Sequence, residues 1–243
     1  MSDLRIATAT QAFCANLVAR EKVPGIQHIV VSPTGIFSEC YAGLADIRSG
    51  ARIDAATTMM AYSMSKTITA AALLQLFEAG RLELDGPAAK YLEVFPYGTA
   101  VTVRQLLAHT AGIPNPIPLR WVHSAAQHST FDEDAELGAV LRRHPRLSSA
   151  PGTRYAYSNI GYWLLGKIAE RVSGRRFPDL VRTEIWERLG VPPDEIGFEI
   201  VCPSTHATGY LEKYSLMNLA KRFLIDSALI GAYENRWLRI HSH

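Results

Sequence analysis

Apolar and polar positions alternate in one part of this chain and recur at helical spacing in most of the rest. The alternating part is "VPGIQHIVVSPTGIFSECYAGLAD". Its β-branched Ile29-Val30-Val31 reads as a strand, Pro33-Thr34-Gly35 as a turn, and Ile36 to Tyr41 as a second strand. Helical spacing comes first in "MSDLRIATATQAFCANLVAR", where Leu4, Ala9, Phe13 and Leu17 fall on or near one side. It returns from Met59 to Leu84, stopping near Gly80, and in "VTVRQLLAHTAGIPNP", a short helix closed by Gly112 and Pro114. Pro114 to Thr130 is rich in Pro, His and Ser and reads as an irregular connection. Asp132 to Arg143 is again helical. The clearest helix is "IGYWLLGKIAERVSG", with Ile160, Leu164, Ile168 and Val172 in one stripe and Gly174 at the C-cap position. Two further helices are predicted, Pro178 to Leu189 and Lys213 to Leu224. The order is two strands, a long helical middle and an ill-defined tail, with no internal repeat.

Composition narrows the classes. The 243 residues are 48% hydrophobic and 20% charged, the balance of a folded globular chain able to bury a substantial core. A net charge of +2 carries no footprint for nucleic acid or for a membrane surface. The basic pairs Arg142-Arg143 and Arg175-Arg176 read as solvated helix faces. Cys14, Cys40 and Cys202 are odd in number and far apart, which speaks against a disulfide framework or a zinc site and for buried free thiols. The N-terminal stretch has Asp3 near its start and no apolar core of export length, and no run approaches a membrane span. The expectation is a cytoplasmic chain. His206, His241 and His243 make no metal-ligand spacing.

One helix poses a chemical problem. "AYSMSKTITAAALLQLFEAG" opens with Ser63, Ser65 and Lys66 and then turns apolar. Positions three apart share a helix face, so the Ser63 hydroxyl and the Lys66 ammonium can meet. At a helix start, unpaired N–H groups and the dipole favour a hydroxyl acquiring alkoxide character. A desolvated lysine there can accept or relay a proton. The plainer alternative is an N-cap serine before an exposed lysine. Ser65 is the other candidate nucleophile, about 100° away round the axis. A second cluster stands in "PGTRYAYSNIGYWLLG". Tyr157 and Asn159, two apart in an extended turn, can project to one side. A phenol beside an ammonium is a candidate general base, and an asparagine can hold a lysine and a substrate carbonyl together. Tyr155 and Tyr162 read as packing under the helix.

"SMSK", "LLAHTAGIP" and "PGTRYAYSNIGYWLLG", in that order and with "LFEAGRLELD" between, resemble the serine β-lactamase and penicillin-binding protein superfamily, which carries an S-x-x-K motif. The Tyr-x-Asn form resembles class C β-lactamases, D-Ala-D-Ala carboxypeptidases and family VIII carboxylesterases, and the Ser-Asp-Asn of class A enzymes is absent. The similarity runs from about Gly43 to Gly209. It implies an α+β fold of β-lactamase/transpeptidase type: an antiparallel sheet flanked by helices, a helical lobe, and the site between them. It implies Ser63 as nucleophile, Tyr157 with Lys66 as the proton-handling pair, and Asn159 as a substrate-binding residue. In the family, the phrase around His109 is a loop signature, which leaves His109 as the weaker candidate base. The third family motif, Lys-Thr-Gly or a variant, is not found. "HATGY" at His206 to Tyr210 is the nearest text, and it precedes helix-like sequence. That motif, a second oxyanion N–H and further strands would follow the last residue here, leaving an incomplete sheet.

These readings combine into one domain. Residues 1–58 form the start of its α/β lobe, 59–200 a mainly helical lobe with the site, and 201–243 a tail without an assigned role. The leading expectation is a carboxylesterase of small esters that also hydrolyses β-lactams weakly, with β-lactamase or D-Ala-D-Ala carboxypeptidase as the alternative. Neither cofactor nor metal is required. The partner is a small ester or β-lactam, with association between copies through an open sheet edge. A reading of another class is a catalytically impaired chain that binds or oligomerises.

Overall fold

The alternating stretch folds as a hairpin. In the computed structural model, β1 (Gly25–Ser32) and β2 (Gly35–Asp46) pair antiparallel from Gly25↔Gly43 to Ser32↔Gly35, with an irregularity between Val30 and Val31. The structure describes residues 2–116, 129–212 and 230–240. The helix expected at Lys213 to Leu224, most of the Pro114–Thr130 connection, His241 and His243 lie outside them. The chain divides into two units, residues 1–60 with 199–243, and residues 61–198.

In the first unit, β3 (Ala51–Arg52) extends the hairpin to three strands. Helix α1 (Ser2–Ala19) packs on β2, but not through the face expected. Phe13 is 64% exposed, Ala9 is exposed, and Cys14 is the buried residue. Cys14 lies against the buried Cys40 of β2. Both thiols are free and buried as expected; Cys202 is free but exposed. The tail is more ordered than its composition suggested. β4 (Gly209–Glu212), β5 (Ile230–Glu234) and β6 (Trp237–Ile240) form a second antiparallel sheet in the order β4-β6-β5. The passage at His206 to Tyr210 thus enters a strand. An ionic cluster ties this sheet to the end of β2. Arg239 meets Asp46 at 3.2 Å and Glu234 at 3.5 Å, and Tyr210 donates to Glu234 while accepting from the Ile47 N–H. His206 Nδ1 meets the Thr58 hydroxyl at 2.8 Å.

The second unit holds the main apolar core. A 3₁₀ turn (Tyr62–Met64) leads into α2 (Ser65–Glu78). α3 (Val103–Leu107) starts on a capping box in which Thr102 and Gln105 satisfy each other's backbone N–H groups. Asp132 caps α4 (Glu133–Arg143), which begins acidic and ends in Arg142 and Arg143, a match to the helix dipole. α5 (Asn159–Ser173) is the helix read most clearly from the sequence. Its stripe of Ile160, Leu164 and Ile168 is fully buried, and Gly174 caps it in the left-handed conformation at φ 70°. α6 (Phe177–Val181) runs into a π-helical turn, Arg182–Trp186. α2 packs on α5, and its buried residues are Thr69, Ala72, Leu73 and Leu76. Lys167 on α5 binds Glu133 and Asp134 at the start of α4, at 2.8 and 2.9 Å. No helix among the described residues is long and apolar enough to cross a membrane.

Candidate active site

Ser63 follows Tyr62, a non-glycine residue at φ 43°, a conformation that costs energy and has to be held by its surroundings. The Ser65 hydroxyl does part of that, donating to the Tyr62 carbonyl at 2.6 Å. Ser65 is thereby committed to the backbone, and Ser63 is the serine that faces the other polar groups. The Lys66 ammonium, three residues on, reaches the Ser63 Oγ at 3.2 Å.

The second half of the site arrives with the N-terminus of α5. Tyr157 Oη lies 2.7 Å from Ser63 Oγ. Asn159 Oδ1 accepts from Lys66 Nζ at 2.9 Å and from Tyr157 Oη at 3.0 Å. Ser63, Lys66, Tyr157 and Asn159 are therefore one closed hydrogen-bonded group, all within the second unit.

What the sequence did not reveal is how Tyr157 and Asn159 are held. The loop "HTAGIPNP" runs beside the segment before α5 and accepts its N–H groups in turn. Ser148 donates to the Gly112 carbonyl, Gly152 to that of Thr110 and Ala156 to that of His109. Gly112 permits this approach. It sits at φ 74°, and a Cβ there would lie 2.1 Å from the Ser149 carbonyl oxygen. Ser158, between the two site residues and 2% exposed, donates its N–H to His109 Nδ1 at 3.1 Å. Its hydroxyl donates to the Pro114 carbonyl and accepts from the Gly161 N–H, capping the helix. The Asn159 N–H goes to the Asn115 side chain at 2.9 Å. The sequence offered only a loop signature around His109 and the polar residues of that phrase as signals for this strap.

Two tyrosines lie beneath the Lys66 ammonium, with ring centres at 5.0 Å for Tyr157 and 5.5 Å for Tyr162. Burial works against ionising Tyr157, but the contacts with Lys66 and Ser63 and the lysine charge outweigh it, and its phenol titrates below the ordinary value. Tyr162 is pushed the other way by burial and by Tyr155 and Tyr157, and it donates to the Leu107 carbonyl at 3.0 Å. Burial, then the Lys66 charge, lowers His109. A hydroxyl between an ammonium and a phenol of lowered pKa can surrender its proton to the phenolate while the cation holds the developing charge. No group of three or more metal-ligating side chains occurs among the described residues.

The family model described as Beta-lactamase matches residues 10–213. Protein flp of Staphylococcus aureus (strain MRSA252) is 28% identical over 171 residues, 68% of this chain and 33% of that protein. The chain thus spans about a third of the length of that curated relative. Among solved structures, the octameric penicillin-binding protein homologue from Pyrococcus abyssi superposes with a TM-score of 0.71 at 26% identity, covering 85% of this chain and 48% of the other. EstCE1, a hydrolase with promiscuous acyltransferase activity, superposes at 0.72 and 21% identity, over 86% and 57% of the two chains, and shares the fold.

Proposed function

Because this chain belongs to the beta-lactamase family of serine hydrolases, we propose that it is a serine acyl hydrolase acting through an acyl-enzyme on Ser63, with small carboxylic esters as substrates and β-lactams turned over weakly. One observation carries the reading: Ser63 Oγ sits 2.7 Å from a phenol of lowered pKa and 3.2 Å from an ammonium. Ser63 attacks the acyl carbon and passes its proton to the Tyr157 oxygen. The tetrahedral intermediate collapses as Tyr157 returns that proton to the departing alkoxide. Water then repeats the sequence on the acyl-enzyme and releases the acid. Lys66 steadies the phenolate, and Asn159 orients Lys66 through Oδ1 and offers its NH₂ to the substrate carbonyl. In this reading the Ser63 N–H supplies a hydrogen bond to the oxyanion. Esters are favoured over amides because an alkoxide leaves with less help than an amine. The acyltransferase chemistry in the description of EstCE1 accords with this choice.

A second reading, a module that binds or associates with its own copies, is favoured by the apolar exposed hairpin, where Val31 is 72% and Ile36 62% exposed. The octameric neighbour accords with it. Intact mass after exposure to a fluorescent phosphonate or activated ester separates the two. The hydrolase reading requires one adduct, on the peptide containing Ser63, lost in Ser63→Ala and kept in Ser65→Ala. Label on Ser65, or none on any serine of the folded chain, overturns it.

A further inference from the structure

His109 has a place in the geometry that neither of the roles weighed from the sequence, base or loop filler, describes. Its backbone is at φ 55°, which costs energy in a residue with a Cβ. Its carbonyl accepts the Ala156 N–H at 2.7 Å, and its side-chain Nδ1 accepts the Ser158 N–H at 3.1 Å. One residue thus grips the chain on both sides of Tyr157. The Ser158 N–H belongs to the peptide unit that joins Tyr157 to Ser158, so its direction governs where the phenol and Asn159 point. The imidazole is itself wedged. It lies 4.6 Å from the Tyr157 ring and 4.9 Å from that of Tyr162, tilted 37° to each, with Tyr155 edge-on at 5.7 Å.

We propose that His109 is a positioning residue for this site: its neutral imidazole, protonated on Nε2 and accepting on Nδ1, holds Tyr157 and Asn159 against Ser63 and Lys66, and taking up a second proton releases them. The proposal rests on the hydrolase reading. The chemistry follows from the donor inventory. A neutral imidazole has one acceptor nitrogen, and an imidazolium has none. Protonation would set a ring N–H against the Ser158 N–H and leave a buried donor unmade. The groups facing the ring are Lys66 from α2, Tyr155 and Tyr157 from the segment before α5, and Tyr162 from α5. The formal charge among them is the lysine's, which opposes an imidazolium. Burial and that charge keep His109 neutral to a lower pH than usual. The sign follows: the grip is complete above about pH 6.5, the ordinary histidine value, and fails as pH falls through the lower value of the folded chain.

The experiment measures the single-turnover acylation rate of the full chain with p-nitrophenyl butyrate from pH 4.5 to 9. It compares the wild type, His109→Asn, whose Oδ1 stands close to where Nδ1 accepts, and His109→Leu, which cannot accept. The wild type should lose rate below the histidine range. His109→Leu should acylate about tenfold to a hundredfold more slowly at neutral pH, the scale of a misplaced group. His109→Asn should restore most of that rate and carry no histidine-linked acid limb. A separate readout needs no variant: nitrogen-15 spectra of the labelled wild type should show the Nε2–H tautomer at neutral pH and its loss at the pH where acylation falls. An Nδ1–H tautomer, a His109→Leu chain as fast as wild type, or an unchanged acid limb in His109→Asn overturns the positioning role. A wild type that forms no Ser63 adduct overturns the hydrolase reading instead, while the tautomer measurement still decides whether the Ser158 contact is made.

Discussion

Two phenols share one ammonium and differ in what else they touch, and that difference separates the roles proposed for them. Tyr157 Oη ends on Ser63 and Asn159, whereas Tyr162 Oη ends on a backbone carbonyl of α3. Tyr157→Phe keeps the ring and should slow acylation by roughly 10²–10⁴, the usual contribution of a general base. Tyr162→Phe should cost about 1 kcal/mol of stability and leave acylation nearly intact. Stopped-flow acylation beside urea unfolding tests the pair, and equal kinetic losses would defeat the assignment. The pH sense is also set. A phenol of lowered pKa gains phenolate as pH rises toward the ordinary value near 10, so acylation by wild type should climb with pH where Tyr157→Phe does not. At this scale the motifs made Ser63, Lys66, Tyr157 and Asn159 legible, since each pair is close in sequence and local geometry projects it to one side. His109, Asn115 and Ser158 were not legible as a unit. Their hydrogen bonds join segments 44 to 49 residues apart, beyond any local periodicity.

Helices with a polar face were read well, and helices without one were not. α5 carries Glu170 on the side away from its stripe and Lys167 and Arg171 along the stripe's margin, so charge bounds the apolar set. In α2 nearly every residue past Lys66 is apolar or small, so spacing cannot tell which side is covered. Leu73 is fully buried and its neighbour Leu74 is 44% exposed. Leu73→Ala should therefore cost about 2–5 kcal/mol and Leu74→Ala less than about 1 kcal/mol. Chemical denaturation measures both, and similar losses would show that α2 is rotated from the orientation described. α1 has polar residues and still buries a different position from those expected. Phe13 is its largest apolar residue, yet the smaller Cys14 is the one buried, against Cys40.

Across the whole molecule, charge and apolar surface each carry a consequence. Burial opposes the ionisation of Asp46, but hydrogen bonds from Thr208 and Ser49 and the charge of Arg239 outweigh it and hold the carboxyl at about 2. Its folded value lies below the ordinary one, so its stabilisation is complete above about pH 4 and is lost as pH falls toward 2. Asp46→Asn should be less stable at neutral pH and flatter between pH 4 and 2, as thermal melts across that range would show; parallel wild-type and variant profiles would contradict it. On the hairpin, Val31, Ile36 and Phe37 are exposed and β1 is an edge strand among the described residues. Sedimentation should therefore reveal concentration-dependent association that Val31→Lys with Ile36→Lys suppresses; a wild type monomeric at high concentration would refute this. The tail sheet was hidden in the sequence because its strands are short and β4 pairs with β6 far along the chain, although β5 and β6 form a tight hairpin. One last consequence concerns time. The hydrogen bond between Ser63 and Tyr157 closes a span of 94 residues, and such long loops form only once the helices that carry them have docked. On the proposed hydrolase reading, Ser63 therefore becomes nucleophilic only after that hydrogen-bonded group has closed. Its capacity to take an acyl label during refolding is a clock for the docking of α2 on α5, and it should start later than the recovery of helical ellipticity.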